Sequence, residues 1–334
     1  MAILLLSMVA CGQSPVTHDI RPGYGVTGIG WLSDFFPPLR GAPGDTRIYV
    51  LDSGIAGGTA LILGGTHANE IAGIMAAVLL VERAEVRRGK LIVIPHANNA
   101  AFGYTDPTCP TCGPWVSFSS GNAARFFRYG SRLTNPAFQS PDSSEYIHPS
   151  GLSFAGWEAR NLNRVYPGRA DGTLTEKIAH AIVQLVLAEE IDYVFDLHEA
   201  GITSRLAYTL VCHPRALELG AMAVMDLELR GISMKLEPSR EEFRGLSHRE
   251  LGDLSKGQVF LLETPNPGQE SGRHNPDVID DPQYPVALRA GVHLSFVQEI
   301  LAIGSRLGLP QVEVVGVPEF EKLQSDGLAA WLNW

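Results

Sequence analysis

The chain has 334 residues, 45% of them hydrophobic and 19% charged, enough apolar material for a large core and not the composition of a disordered chain. Its net charge of −10 argues against a partner whose phosphates need a basic face, so no nucleic-acid partner is expected. The 35 glycines and 22 prolines follow no fixed period, which excludes collagen-like and solenoid repeats.

Met1 to Cys11 is an apolar stretch too short to span a bilayer, and it ends in small residues and a cysteine. With the polar Gly12-Gln13-Ser14-Pro15 behind it, the segment resembles a bacterial lipoprotein signal in which Cys11 carries the lipid. Two features depart from that pattern: Met8 stands where leucine is usual, and no Lys or Arg precedes the apolar run. Residues 1–20 are expected to be an export signal and linker, giving a periplasmic or membrane-anchored protein. If the segment is no signal, the expected location is the cytoplasm. No other segment reads as a membrane span.

β-rich runs follow at Arg47–Leu51, Thr59–Leu63, Lys90–Ile94, Asp192–Asp196, Tyr208–Cys212 and Gln258–Leu262. They alternate with helix-length segments at Ile71–Arg83, Thr173–Glu190, Arg215–Arg230 and Leu288–Leu307. The Thr173 segment opens with the capping box Thr173-x-x-Glu176 and carries Ile178, Ile182, Leu185 and Val186 at helical spacing. The alternation predicts an α/β fold, a three-layer sandwich whose mixed, mostly parallel sheet is flanked by helices. Ligands of such sheets sit beyond the carboxyl ends of the strands. From Ala101 to Glu158 no period is visible, and this stretch is read as a loop insertion over one face, either a lid or specificity rim or a surface excursion without a role in the site. Within it Cys109 and Cys112 lack the four ligands of a structural zinc site, and in an exported protein they are expected to form a local disulfide. Cys212 reads as a core residue.

Four short motifs carry chemistry. Strand Thr59–Leu63 runs into Gly64-Gly65-Thr66-His67-Ala68-Asn69-Glu70, where the spacing of His67 and Glu70 brings both side chains to one side of a turn. Strand Asp192–Asp196 runs into Leu197-His198-Glu199. Two imidazoles and one carboxylate make a catalytic zinc set with the fourth position open. Arg160-Asn161-Leu162-Asn163-Arg164 places guanidinium and amide groups together, the donors that bind a carboxylate. Glu263 ends the apolar run Val259–Leu262, where an unpaired carboxylate is costly and a general acid or base is plausible.

Together these motifs resemble the zinc carboxypeptidase superfamily, and within it the succinylglutamate desuccinylase/aspartoacylase-like branch, over roughly Arg47 to Pro267. The resemblance implies that His67, Glu70 and His198 bind zinc and that Glu263 activates the zinc-bound water. It implies that Asn163 and Arg164 hold a substrate carboxylate and that an arginine polarises the scissile carbonyl. That role is assigned to Arg160, with Arg125, Arg128 and Arg132 competing. The family usually has Asp where this chain has Asn161, so the histidine it supports loses a neighbouring charge; Asp196 is the candidate to compensate. His96 and His213 are expected to be loop or supporting residues, and His248 to lie in a solvated loop, with a place in the wall of the substrate pocket as the alternative.

The leading expectation is a zinc-dependent hydrolase that cleaves an amide bond in a small carboxylate-bearing substrate, an N-acyl amino acid deacylase. The alternative is a metallocarboxypeptidase that removes a C-terminal residue, such as that of a cell-wall peptide. The aspartoacylase-type C-terminal β-domain is not visible after Glu263, which leaves room for a larger substrate. A third reading is a non-catalytic zinc- or carboxylate-binding protein. In each case the partner is a small molecule or peptide with a carboxylate, and the membrane is reached only through a lipid on Cys11. Since His67, His198 and Glu263 must converge, residues 21–334 are expected to form one hydrolase domain.

Overall fold

The computed structural model describes residues 19–105, 109, 111–270, 272–273 and 276–334. The export-like segment, with Cys11, lies outside the described residues up to position 18. In chain order the elements are β1 (Gly28–Trp31), β2 (Arg47–Asp52), β3 (Thr59–Leu63), α1 (Ile71–Arg83), β4 (Glu85–Arg88), β5 (Lys90–Ile94), β6 (Trp115–Ser120) and β7 (Ala123–Arg128). There follow β8 (Glu145–Ile147), β9 (Ser153–Ala155), α2 (Leu162–Val165), α3 (Leu174–Ala188), β10 (Tyr193–Gly201), β11 (Thr209–Cys212) and α4 (Leu217–Glu228). The last are β12 (Lys235–Pro238), α5 (Ser247–Leu254), β13 (Gln258–Asn266), α6 (Val286–Arg306), β14 (Glu313–Val315) and α7 (Phe320–Asp326).

Strand alternation sets the layers. In β3, Ala60 and Ile62 join one apolar cluster while Leu61 and Leu63 join the other; in β5, Leu91 and Val93 oppose Ile92 and Ile94 in the same way. Helices α1, α4 and α6 cover the first face, and α3 the second. Each face is therefore buried, and the result is a three-layer sandwich. The eight-stranded sheet has the order β1-β2-β5-β3-β10-β13-β11-β12. Its centre, β5-β3-β10-β13, is parallel, whereas β2 and β11 pair antiparallel on either side. The carboxyl ends of the central strands thus share one edge. Helix α6 is long and apolar enough to cross a membrane by length and composition, but 78% of its most apolar window is buried inside the fold.

Two differences from the sequence reading bear on the site. Strand β10 runs on to Gly201 and β13 to Asn266, in unbroken parallel register, so His198 and Glu263 stand opposite one another within strands rather than beyond their ends. The polar residues at these positions hide the strand signal because their partners come from elsewhere in the chain. The stretch from 101 to 158 is also not structureless: it holds the hairpins β6–β7 and β8–β9. In β7 the usual pattern is inverted, with Arg125 buried and Phe126 exposed. Cys109 and Cys112 are joined in a disulfide, and Cys212 is buried.

Candidate active site

The turn after β3 begins the site. Gly65 has φ +65°, a conformation open to glycine, and swings the chain so that His67 returns over the sheet. Helix α1 then starts at Ile71 with Glu70 as its N-cap, and the Glu70 carboxylate does not cap the helix. That task falls to Glu199, whose Oε2 accepts from the backbone N–H of Ala72 at 2.9 Å. Helix α1 lies close on β10 because Gly73 has no side chain: a Cβ there would stand 2.3 Å from the carbonyl oxygen of Leu197. This contact brings Glu70 beside His198.

His67, Glu70 and His198 are all buried, and their ligand atoms lie within 4.8 Å of one another. His67 Nδ1 is 2.7 Å from Glu70 Oε1, and His198 Nδ1 is 2.9 Å from Glu70 Oε2. The opposite ring nitrogens are held from behind. His67 Nε2 is 2.9 Å from Asn161 Oδ1, and His198 Nε2 is 2.9 Å from Asp196 Oδ2. The amide oxygen at His67 Nε2 favours the tautomer whose Nδ1 lone pair faces the common centre. Neither ring nitrogen of His198 has a directional hydrogen-bond partner among the described residues, although oxygens of Glu70 and Asp196 each lie 2.9 Å away. Two imidazoles and a carboxylate converging on one point form the donor set of a divalent-metal site with an open position.

Glu70 is further fixed by the Glu199 backbone N–H at 3.0 Å and by Gln269 Nε2 at 3.0 Å. Asp196 accepts from Thr66 Oγ1 at 2.7 Å and from Ser247 Oγ. Burial, with Arg132 nearby, pushes His67 down to about 4 and keeps its ring neutral. Against desolvation, Asp196 and Glu70 hold His198 well above the usual histidine range. Also against desolvation, His67 and His198 hold Glu70 well below the usual carboxylate range. The metal-free site therefore keeps a proton on His198.

Asn161 stands where the motif resemblance leads one to expect an acid, and the structure supplies a reason. Its amide Nδ2 donates to Glu158 Oε2 at 2.7 Å while its Oδ1 faces His67. A carboxylate thus sits one hydrogen bond further out, behind a neutral relay. Asn161 Oδ1 also accepts from Asn163 N–H and caps α2.

Glu263 projects from β13 beside His198, on the same sheet face. Its Oε2 is buried and has no hydrogen-bond partner among the described residues. Burial pushes its carboxyl up to about 8. A pocket of about 300 Å³ opens above it, lined also by His67, Arg132, Asn163, Arg164, His248 and Leu261. Asn163 Oδ1 accepts from Ser247 N–H at 2.8 Å, which leaves its NH2 group for the pocket. Arg164 has no carboxylate within ion-pair distance among the described residues, and burial, with Arg132 alongside, lowers its pKa.

The assignment of the carbonyl-polarising arginine to Arg160 is corrected by the structure. Arg160 grips Asp142 through two hydrogen bonds of 2.7 and 2.8 Å and the Thr134 carbonyl at 2.9 Å, away from the pocket. Arg125 is buried against Glu82 and Asp19, and Arg128 stacks over Phe102. Arg132 is the one of the four candidates that lines the pocket, with Nη1 3.7 Å from Glu70 Oε1. His248 is likewise corrected: it is buried on α5 and lines the pocket, with Nδ1 2.8 Å from Ser239 Oγ. His96 packs on Phe102, and His213 pairs with Asp253, both outside the metal-type cluster. The insertion contributes Arg132, Leu152 and Phe154 to the pocket wall, as a rim would.

Sequence reasoning missed the support on the far face of the sheet. Glu199 forms a fully buried ion pair with Arg289 of α6 and hydrogen-bonds Asn266 Nδ2 at 3.2 Å. Nothing in a local motif ties positions 90 residues apart. Thr66 and Glu158, by contrast, adjoin motif residues and were within reach of a spacing argument.

Comparison with known proteins adds a family. Residues 133–261 match the succinylglutamate desuccinylase/aspartoacylase catalytic domain. An N-alpha-acetyl-L-2,4-diaminobutyric acid deacetylase from Halomonas elongata is 32% identical over 149 residues, covering 44% of this chain and 30% of that protein. The product-bound Ectoine utilization protein EutE (DoeB) from Ruegeria pomeroyi is similar at 20% identity and a TM-score of 0.48, over 78% of this chain and 61% of that one. The tripeptide-bound Cell Shape Determinant protein Csd4 from Helicobacter pylori is similar at 14% identity and a TM-score of 0.49, over 80% of this chain and 55% of that one. The chain spans less than two thirds of the length of each of these relatives.

Proposed function

We propose that this chain, which belongs through residues 133–261 to the succinylglutamate desuccinylase/aspartoacylase branch of the zinc carboxypeptidase-like superfamily, is a zinc-dependent amidohydrolase that deacylates a small N-acyl amino acid. The family is hydrolytic, and the Halomonas relative is named for deacetylating an acetylated amino acid. The observation that carries the reading is the convergence of His67, Glu70 and His198 directly beside the uncommitted carboxyl oxygen of Glu263, at the base of an arginine-lined pocket.

His67, Glu70 and His198 would hold the ion. A zinc ion bound by such a set supplies Lewis acidity towards a carbonyl and lowers the pKa of water. Glu263 takes the proton of the attacking water and returns it to the leaving amine, so that one carboxyl serves as base and then as acid. Arg132 donates to the carbonyl oxygen as negative charge develops on it. Arg164 and the Asn163 amide bind the substrate carboxylate and hold the amide over Glu263, a contribution of orientation rather than bond-breaking. Pocket volumes for small ligands start near 300 Å³, so this pocket favours an amino-acid-sized substrate over a peptide.

The test is a substrate screen of N-acyl amino acids against C-terminally varied peptides, with and without a chelator. Chelator-sensitive release of acylate from an N-acyl amino acid is expected. Release of C-terminal residues instead would establish the carboxypeptidase reading, and no turnover after zinc loading would leave a binding protein. Export with a lipid on Cys11 belongs to the same proposal, and radiolabelled fatty acid should enter the wild type and not Cys11→Ala.

A further inference from the structure

The pocket has two poles, and the sheet measures the distance between them. At the near pole stand Glu263, Arg132 and Arg164. The far pole is Glu237 on β12. Strand β13 pairs with β11 so that Leu261 faces Val211, and β11 pairs with β12 so that Val211 faces Glu237. Paired residues share a sheet face, so Leu261, Val211 and Glu237 form one row across three strands, and all three line the pocket. Glu263 lies two residues further along β13 on that face. With strands about 4.8 Å apart and a rise of about 3.3 Å per residue, the backbones of Glu263 and Glu237 are about 12 Å apart across an apolar floor.

The charge of Glu237 is poorly compensated. Its side chain is 17% exposed, and its ion-pair partner among the described residues, Arg205, is 3.5 Å away and 74% exposed. A pair of that kind contributes little and gives way to a better-placed cation. Arg244, at the same end, is already held by Asp253 at 2.8 Å and Glu250 at 3.6 Å. An anionic group would therefore find an unpaired, buried guanidinium in Arg164 at the near pole, whereas at the far pole Glu237 is the buried member of a pair whose exposed arginine, also at the pocket wall, can turn into solvent and yield the carboxylate to a cationic group.

Resting on the reading of the site as an N-acyl amino acid hydrolase, the geometry points to a substrate whose amino acid carries a cationic side chain of lysine-like length, selected by Glu237. The α-carboxylate lies against Arg164 and Asn163, the acyl amide over Glu263, the methylenes on Leu261 and Val211, and the ammonium at Glu237. An extended chain gains roughly 1.2 Å per bond, so the bonds from the α-amine to the ε-amine of lysine span about 7 Å. A hydrogen bond of about 2.8 Å at each end covers the rest.

The experiment compares zinc-loaded protein on Nα-acetyl derivatives of L-lysine, L-norleucine and L-glutamate, together with binding of free L-lysine and L-norleucine by calorimetry. The lysine derivative should be preferred to the norleucine one by about ten- to a hundredfold in kcat/KM, and Glu237→Gln should bring that ratio to within about threefold of one. Glu237→Lys should shift preference to the glutamate derivative. A wild type that prefers norleucine or glutamate, or a ratio unmoved in Glu237→Gln, overturns the assignment. If no acetyl amino acid is cleaved, the hydrolase reading fails instead. The binding ratio of lysine to norleucine, and its collapse in Glu237→Gln, still decides the role of Glu237.

Discussion

Replacing Asn161 by Asp supplies the acid usual in the family that the motifs resemble, and the structure predicts that it will not improve the site. The new carboxylate would still accept from His67 and cap α2, but it would face Glu158 Oε2 across the 2.7 Å that the amide now bridges. Two like charges at that separation repel by about 6 kcal/mol at an effective dielectric of 20. That is about 4 pKa units, and even half of it lifts the second carboxyl to about neutral pH. One of the pair should therefore keep its proton at pH 7, so the two side chains together still carry a single negative charge behind His67, shared between them. Metal affinity, read by competition with a fluorescent chelator, should change less than about threefold in Asn161→Asp. Asn161→Asp combined with Glu158→Gln should instead tighten binding by about tenfold or more, because the acid is then alone. A tenfold gain in the single variant, or none in the double, would refute the view that Glu158 acts through Asn161.

Four further outcomes are expected. Arg132→Ala should lower kcat by about 10²–10³-fold with metal retained, as for loss of one oxyanion donor. Arg160→Ala should keep kcat within about threefold, since its contacts are with Asp142 and Thr134. Arg289→Met leaves Glu199 buried and alone, and chemical denaturation should show a loss of about 3–5 kcal/mol, mostly recovered in the double variant with Glu199→Gln. The metal-free protein should lose stability as pH rises above 6.5, where His67 is neutral both folded and unfolded. Burial raises Glu263 to about 8, and, against desolvation, Asp196 and Glu70 raise His198. Both groups bind protons more tightly when folded, so their contribution is full below their unfolded values near 4.5 and 6.5 and is lost as pH rises through the folded ones. Thermal melts from pH 6.5 to 9 should fall for metal-free protein, and a flat profile would show the proton is not on this cluster.

The parts of this molecule that were legible in the sequence are those whose physics is local. The boundaries of α1 and the Thr173–Glu176 capping box follow from nearest neighbours, and the structure places both as read. His67, Glu70, His198 and Glu263 were legible because each follows or ends an apolar run that can only be a central strand. The pocket arginine was not, because position 132 lies just past hairpin β6–β7, whose second strand buries Arg125 and exposes Phe126 against the polarity of its sequence. Arg160 looked better placed along the chain, but Asp142, far from it in sequence, neutralises it. The strand extensions to Gly201 and Asn266 were hidden for the same reason. Their polar residues are satisfied by α1 and α6, which only the fold brings near.

The proposed hydrolysis depends on Glu263 doing the proton transfers beside a metal held by His67, Glu70 and His198. Glu263→Gln keeps the shape of the side chain and removes its basicity. Measured on an N-acyl amino acid substrate alongside zinc content by elemental analysis, this variant should hold one zinc per chain and lose turnover. Undiminished turnover in Glu263→Gln, or a wild type that binds no zinc, would contradict the account.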